Sequence, residues 1–519
     1  MMSLTHKSRR SRQLLSAFFL LLAFLCRLAF WRIPMFDIDE SLFAVASKVF
    51  LQGGLPYANA VDIKPVGIFL YYILAFVVFG EPSLRSVHIL TTVVLACSAS
   101  ITHYICRDDL RLSRTTSLIT AILLIFEATF SHPKMMAASI NMVMMLPLLL
   151  CTRFYLRWCQ NQQRRDLALA GLVGGIAFLL KYQAGVLLPI VLVHLYWQKR
   201  QRITTHINAF PFLIWFLLPT LCELIFFCVT GIFTEFWLYN FYGNLGYITR
   251  SVEGTRALSH LLTRALPMLF WFAPVLVGVA ITITREWRQK SHDTIKIFLI
   301  LSCIGHFLAI CVGGRFYPHY FLQPLPFLLI LGIPPLVDYG RQKTFLKRSL
   351  LIIFLSFWLL VPLTRCLFDW TFTRLHAHRH DDNHPEIYQP VSRYLAEHTQ
   401  TDDTIFVWGN ATPIYYFSNR APAARFLWCD SLTGLLITRE TKTTWRTPLA
   451  EKVTTASWNY FWQDLAKNQP VYFVDTATDD YHHYKQFKPE AYPDLHKYLD
   501  LNYTREKSID GIILYRRRD

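Results

Sequence analysis

The chain has 519 residues, of which 53% are hydrophobic and only 17% are charged, and its net charge is +17 at pH 7. This composition excludes an ordinary soluble protein and indicates a polytopic α-helical membrane protein. Because Lys and Arg lie in short clusters between apolar runs, the positive charge is a topology signal and does not indicate nucleic-acid binding. The 11 cysteines form no CxxC pair and no zinc-like spacing with His, so most are expected to be small core residues.

The first apolar run, residues 14–31, is predicted to be a retained membrane helix rather than a cleaved signal peptide. Three carboxylates, Asp37, Asp39 and Glu40, follow it at once. Acids at a membrane edge are costly unless they are solvated, paired or functional. The next stretch, SLFAVASKVFLQGG, predicts a helix on the membrane surface that ends at the glycine pair. Capping of this helix is the alternative to a functional role for the acids.

Eleven apolar segments are long enough to cross a bilayer. They lie near residues 14–31, 85–106, 114–130, 135–157, 165–180, 183–198, 208–230, 260–284, 294–312, 319–338 and 345–365. A further run at 66–80 is at the short limit for crossing. Because Lys and Arg near span ends stay on the cytoplasmic side, the basic N-terminus is predicted to be cytoplasmic. If 66–80 does not cross, every later basic loop is cytoplasmic too, which favours eleven crossings.

This topology places several polar segments on the outer face: the first outer loop (32–84) with its acids and Lys64, the turn at Lys181, and GGRFYPHY. The last segment contains Arg315, Tyr317, His319 and Tyr320. Individually, an interfacial Lys often only reaches for water, and tyrosines are common in membrane aromatic belts. Together, cations that suit a phosphate and carboxylates that suit proton transfer predict group transfer from a lipid-linked phosphate.

The C-terminal part of the chain has a different composition. From residue 368 it is polar, and PVSRYLAEHT predicts a helix while DDTIFVWG, PVYFVDT and GIILYRRR predict strands. We therefore expect two domains, a transmembrane domain over 1–367 that includes the first outer loop, and a small extracytoplasmic α/β domain over 368–519.

The first outer loop, from FDIDESLF to DIKPVG, resembles that of the GT-C membrane glycosyltransferases of the protein O-mannosyltransferase and lipid A aminoarabinose transferase superfamily. The stretches around Lys181 and Arg315 resemble later family segments. The resemblance implies an inverting enzyme of the bacterial inner membrane that moves a sugar from a polyprenyl-phosphate donor. It implies an envelope acceptor, which is lipid A, another glycan or a protein, on the extracytoplasmic face.

The resemblance also implies roles for individual residues. Asp39 matches the acidic catalytic position, with Glu40 as its partner and Asp37 as a neighbour. Lys64 matches the cation near the donor phosphate. Further contacts to phosphate or sugar are expected from Lys181, Arg315, Tyr317 and His319.

One position departs from the family pattern. Many relatives carry a second acid where this chain has Asn141, in SINMVMMLP. An amide forms hydrogen bonds but supplies no negative charge to a cation or base. The sequence therefore implies no definite cofactor and leaves a divalent metal as an open alternative.

Two other functions compete with a transferase. A transporter or flippase of lipid-linked substrates would fit the intramembrane charges Arg27, Glu127 and Glu223, but no internal repeat is evident. A catalytically altered family member acting as a scaffold would fit the loss of the acid at Asn141.

Overall fold

The computed structural model describes residues 2–201, 203, 208–245, 254–289, 293–341, 345–374, 384–434, 448–478 and 480–518. These residues form two compact units. The helical unit comprises the described parts of Met1–Ile33, Val87–Glu223 and Ser251–Trp370. The sheet unit comprises those of Pro34–Ser86, Leu224–Arg250 and Thr371–Asp519.

Most of the chain before residue 369 is helical. The α-helices are Met2–Cys26, Ile38–Leu51, Gly67–Phe79, Leu84–Tyr104, Arg114–Phe130, Ile140–Asn161, Arg164–Leu180, Leu187–Arg200, Phe210–Val229, Phe233–Glu235, Gly254–His260, Leu266–Trp271, Ala273–Arg288, Thr294–Cys311, Leu325–Arg341 and Phe345–Phe368. The predicted apolar segments fall mainly on these helices, and the helix Ile38–Leu51 confirms the helix predicted after the acids.

Four helical segments among the described residues are long and apolar enough to cross a membrane: Leu84–Asp109, Ile140–Asn161, Phe210–Val229 and Thr294–Cys311. A bent pair, Ala257–Trp271 and Ala273–Arg288, adds a fifth if it is one span. The pair bends by 70° where a continuous segment was predicted over 260–284. Phe272 leaves helical geometry at φ −82° and ψ 4°, and Pro274, which has no backbone N–H to donate, follows it. The total of eleven crossings stays a prediction.

Two of the charges predicted inside the membrane have hydrogen-bond partners in the helical unit. Arg27 is fully buried, and its Nη2 donates to the carbonyl oxygen of Met136 over 2.7 Å. The buried Glu127 accepts a bond of 2.8 Å from the indole Nε1 of Trp271. Buried charges are stable only when paired or hydrogen-bonded. Both side chains therefore join distant segments of the helical unit. Their burial does not require a transport pathway as its explanation.

Glycine allows two helices of the helical unit to approach closely. A Cβ added at Gly278 would collide with the carbonyl oxygen of Gly332. Helix Ala273–Arg288 and helix Leu325–Arg341 therefore pack backbone against backbone at this point, the contact that small residues permit between membrane helices.

The sheet unit contains a five-stranded sheet. Its strands are β1 (Thr404–Trp408), β2 (Ala421–Pro422), β3 (Tyr472–Asp475), β4 (Tyr503–Ile509) and β5 (Ile512–Arg517), in the order β2-β1-β3-β5-β4. β1 pairs in parallel with β2 and β3, whereas β5 is antiparallel to β3 and β4. Its later α-helices are Gln389–His398, Pro413–Ser418, Asp430–Thr433, Pro448–Asn468 and Pro493–Asn502. The small α/β fold predicted for the C-terminal region is confirmed.

The first outer loop packs into this same unit. The backbone N–H of Val61 donates to the carbonyl oxygen of Arg425 over 2.8 Å. Tyr57 lies with Phe227 and Phe236 in one apolar core that also contains Trp408 of β1. Three distant chain segments therefore share one core, and the loop with the acids folds together with the C-terminal region.

Candidate functional site

The three acids of the first outer loop lie at the start of helix Ile38–Leu51, where two of them cap it. Asp37 is the N-cap and its carboxylate accepts from the N–H of Asp39 over 3.1 Å. Glu40 completes a capping box, since its Oε2 accepts from the N–H groups of Phe36 at 2.6 Å and Asp37 at 3.2 Å. Such reciprocal bonds satisfy N–H groups that a helix start leaves unpaired. Capping thus accounts for Asp37 and Glu40.

Asp39 differs from its two neighbours. Its backbone N–H donates to the Asp37 carboxylate, but its own carboxylate is not one of the two acceptors of the capping box. Its side chain is half-buried, as is that of Asp37, whereas Glu40 is 1% exposed. An acid in the first turn also interacts favourably with the helix dipole. The cap bonds themselves do not use the Asp39 carboxylate, and a carboxylate that is partly open to its surroundings suits proton transfer.

The loop that carries Lys64 is held by a network of side chains. Asp62 Oδ1 accepts from the N–H of Ile63 at 2.6 Å and of Lys64 at 3.3 Å. The carbonyl oxygen of Lys64 accepts from Tyr57 Oη and from Asn240 Nδ2, both over 2.8 Å. The backbone at Lys64 is therefore fixed, which orients its half-buried side chain. Asp62, Tyr57 and Asn240 were not predicted as site residues, although the acid two positions before Lys64 was a usable signal.

Asp62 has an unusual electrostatic environment. It is 8% exposed, and its Oδ2 has no hydrogen-bond partner among the described residues. Burial raises the pKa of Asp62 to about 6, and Asp39 adds to this rise, while Lys64 and the two N–H donors oppose it. The carboxyl therefore titrates close to neutral pH.

This raised pKa predicts a pH-dependent stability difference. Between about pH 4 and pH 6 the folded protein binds more protons at Asp62 than the unfolded chain does, so this group lowers the free energy of unfolding as the pH rises. Asp62→Asn removes the cost of a buried charge. At pH 7.5 the variant is expected to be more stable than the wild type by roughly 1–3 kcal/mol, and the difference should shrink towards pH 4. Thermal unfolding in detergent across this pH range measures it, and a difference that is constant with pH would contradict the prediction.

Lys181 lies in the helical unit, in the turn between helix Arg164–Leu180 and the next helix. Its Nζ donates to Asn141 Oδ1 over 2.9 Å and lies 3.8 Å from the ring centroid of Tyr320. The aromatic face attracts the ammonium, and the neutral amide orients it without cancelling its charge. Asn141, predicted as a departure from the family pattern, is therefore a direct neighbour of a predicted phosphate-binding cation.

The segment GGRFYPHY adopts a strained turn in the helical unit. Gly313, Gly314 and Phe316 have φ values of 85°, 62° and 47°. The turn buries Arg315 and stacks the rings of Tyr317 and His319 at 5.8 Å. The sequence did not indicate Arg264, whose guanidinium lies 4.8 Å from the Tyr317 ring centroid and donates to the carbonyl oxygen of Arg315 over 3.1 Å. Two arginines and a histidine thus converge on one turn.

The predicted residues therefore form groups within each unit. The sheet unit holds Asp37, Asp39, Glu40 and Lys64, and the helical unit holds Asn141, Lys181, Arg315, Tyr317 and His319. Among the residues that the structure describes, no three His, Cys, Asp or Glu side chains come together in a way that could hold a metal ion.

Comparison with known proteins finds a family model and several solved structures that are similar to this chain. Residues 63–226 match the model of the dolichyl-phosphate-mannose-protein mannosyltransferase family. No curated protein matches the chain in sequence. ArnT from Cupriavidus metallidurans, solved with undecaprenyl phosphate bound, is similar in structure with a TM-score of 0.62, 12% identity and 97% of each chain covered.

The archaeal oligosaccharyltransferase AglB from Archaeoglobus fulgidus is also similar. Its structure with an inhibitory peptide and a dolichol phosphate gives a TM-score of 0.54 at 12% identity, covering 99% of this chain and 75% of that one. The apo form of the Cupriavidus ArnT gives a TM-score of 0.59 with 98% of each chain covered. These similarities confirm the resemblance predicted from the first outer loop, and this chain has the fold of the GT-C superfamily of membrane glycosyltransferases.

Proposed function

We propose that this protein is an inverting membrane glycosyltransferase that moves a sugar from a polyprenyl-phosphate donor to an envelope acceptor at the extracytoplasmic face of a bacterial inner membrane. The observation that carries the proposal is the division of roles at the acid helix, our name for Ile38–Leu51. Asp37 and Glu40 form the capping box, while Asp39 takes no part in it with its carboxylate. The lipid phosphates bound in the structurally similar ArnT and AglB support a lipid-linked donor for this chain.

In the proposed reaction, Asp39 accepts a proton from an acceptor hydroxyl or amine. The acceptor atom then forms a bond to the anomeric carbon as the bond from that carbon to the phosphate oxygen breaks. The leaving group is the polyprenyl phosphate, which retains the electron pair. Attack from the face opposite the leaving group inverts the anomeric centre. Proton removal by a positioned carboxylate contributes about 10²–10⁴-fold to such a step.

The cations act on the leaving group. Lys64 sits on a backbone fixed by Asp62, Tyr57 and Asn240. Lys181 donates to the neutral amide of Asn141 and lies over the ring of Tyr320. Positive charge that is already in place stabilises the negative charge that develops on the departing phosphate. Arg315, Tyr317 and His319 are further proposed contacts to the phosphate or the sugar.

Loss of the gene product tests the function directly. Envelope lipids, polysaccharides and proteins are compared by mass spectrometry from cells with the wild-type protein, with none, and with Asp39→Asn. A molecule that carries the mass of one extra sugar in wild-type cells, and lacks that mass in the deletion and in the variant, identifies the sugar and the acceptor. A transporter would retain the modification in Asp39→Asn at wild-type level, and that result would contradict a transferase.

A further inference from the structure

Three contacts join the first outer loop to one short helix of the C-terminal region. We call helix Pro413–Ser418, with its flanking residues Thr412 and Asn419, the docking helix. Thr412 contacts Ser41 of the acid helix, Tyr416 Oη accepts from the N–H of Leu84 over 3.0 Å, and Asn419 Oδ1 accepts from Lys48 Nζ over 2.6 Å. All of these residues belong to the sheet unit.

The spacing of the contacts shows that two helix faces meet. Thr412 and Tyr416 are four positions apart, which places them on one side of the docking helix. Asn419 is the left-handed C-cap of this helix, at φ 53°. On the acid helix, Ser41 and Lys48 are seven positions apart, which is two turns along one face. The two ends of the docking helix therefore bond the acid helix in its first and its last turn.

The hydrogen bond between Thr412 and Ser41 has a defined direction. Ser41 Oγ lies 2.7 Å from the carbonyl oxygen of Ile38, which can only accept, so the serine hydrogen points there. Ser41 Oγ also lies 2.7 Å from Thr412 Oγ1, so the threonine is the donor in this contact. Both side chains are 0% exposed. Loss of the donor leaves the second acceptor site of Ser41 without a partner in a buried place, and water does not compensate for it.

We propose that Thr412 is a positioning residue for Asp39, so that the C-terminal region sets the geometry of the acid helix. This inference rests on the proposed function, in which Asp39 is the catalytic acid. Asp39 and Ser41 lie in the same turn, which begins at the cap formed by Asp37 and Glu40. Just before this turn, Arg374 of the same unit donates to the carbonyl oxygens of Met35 and Phe36. The hydroxyl of Thr412 adds a buried hydrogen bond from the C-terminal region to the turn itself. Catalysis is sensitive to displacements of about 1 Å, so a small shift of this turn lowers transfer.

The test uses the full-length protein in detergent and three variants. Thr412→Val removes the donor at nearly constant shape, and Thr412→Ser restores it. Thr476→Val is the matched control, because Thr476 is also 0% exposed and its hydroxyl donates to the carbonyl oxygen of Trp408 over 2.8 Å, within the sheet. Hydrogen exchange of the backbone amides in residues 39–48, followed by mass spectrometry, reports on the acid helix without requiring activity.

We expect Thr412→Val to exchange about fivefold faster than the wild type over residues 39–48, as loss of one buried hydrogen bond implies. Thr412→Ser and Thr476→Val should exchange like the wild type. In cells, the sugar modification should fall roughly tenfold or more in Thr412→Val and return in Thr412→Ser. Affinity for undecaprenyl phosphate, used as the probe lipid, should stay unchanged.

Two results would overturn the proposal. One is exchange in Thr412→Val that matches Thr476→Val. The other is faster exchange with full modification, because the acid helix would then transfer sugar without this anchor. If wild-type cells carry no modification at all, the proposed function fails, and the exchange measurement by itself decides whether Thr412 anchors the helix.

Discussion

Asp39→Asn is expected to reduce sugar transfer by about 10²–10⁴-fold, the usual contribution of a positioned general base. The amide keeps the size of the side chain and cannot accept the acceptor proton. Because the Asp39 carboxylate is not one of the two acceptors of the capping box, the variant keeps the cap and should insert into the membrane and fold. The measurements are the mass-spectrometric signal of the modified acceptor and thermal unfolding of the purified protein.

Asp37→Ala is the control in which stability should fall while sugar transfer is kept. It removes the N-cap and should cost about 1 kcal/mol of stability, because the N–H groups of Asp39 and Glu40 lose a side-chain acceptor. Transfer per folded molecule should stay within a few-fold of the wild type. If Asp39→Asn retained near-normal transfer, or if Asp37→Ala lost transfer without losing stability, Asp39 would not be the catalytic acid.

Lys64→Met is expected to weaken binding of undecaprenyl phosphate by about 10- to 100-fold. A charge-assisted hydrogen bond to a phosphate contributes about 1.5–3 kcal/mol, and methionine keeps the apolar stem while removing the charge. The backbone at Lys64 should remain in place, because Asp62, Tyr57 and Asn240 bind main-chain atoms. Titration of the lipid phosphate into detergent-solubilised protein measures the change.

Lys467→Met is the matched control for this variant. Lys467 belongs to the same unit and is exposed on helix Pro448–Asn468. Its loss changes the net charge equally and should leave the affinity unchanged. Equal weakening in both variants would indicate a general charge effect, and unchanged affinity in Lys64→Met would remove Lys64 from the donor site.

Local patterns predicted much of the fold. The helix after the acids and the strands Thr404–Trp408, Tyr472–Asp475 and Ile512–Arg517 match the predicted segments, because apolar runs bounded by Asp, Gly and Pro are local signals. Strand Tyr503–Ile509 was not predicted. It is an edge strand in which polar and charged residues dominate, so it lacks the apolar alternation that identifies a half-buried strand.

The site was harder to predict than the fold, because its supports are distant in sequence. Asn240 is 176 residues from the carbonyl oxygen of Lys64 that it binds. Arg264 is 51 residues from Arg315. Residue type and spacing predicted the charged groups themselves, whereas the neutral partners that orient them carry no local signature. The capping of the acid helix, by contrast, was predicted as an alternative and proved correct for Asp37 and Glu40, since it depends on neighbouring residues only.

The sheet unit has a consequence for biosynthesis, because its core combines the first outer loop with a much later part of the chain. Thr412 is synthesised 371 residues after Ser41, its hydrogen-bond partner. At a translation rate of 5–20 residues per second, this delay is roughly 20–75 seconds. During that time the acid helix has its own cap but no docking helix to hold it. Assembly of the acid helix is therefore coupled to synthesis of β1 and the segment that follows, and a chain that stops before residue 412 would insert its early helices without an anchored Asp39.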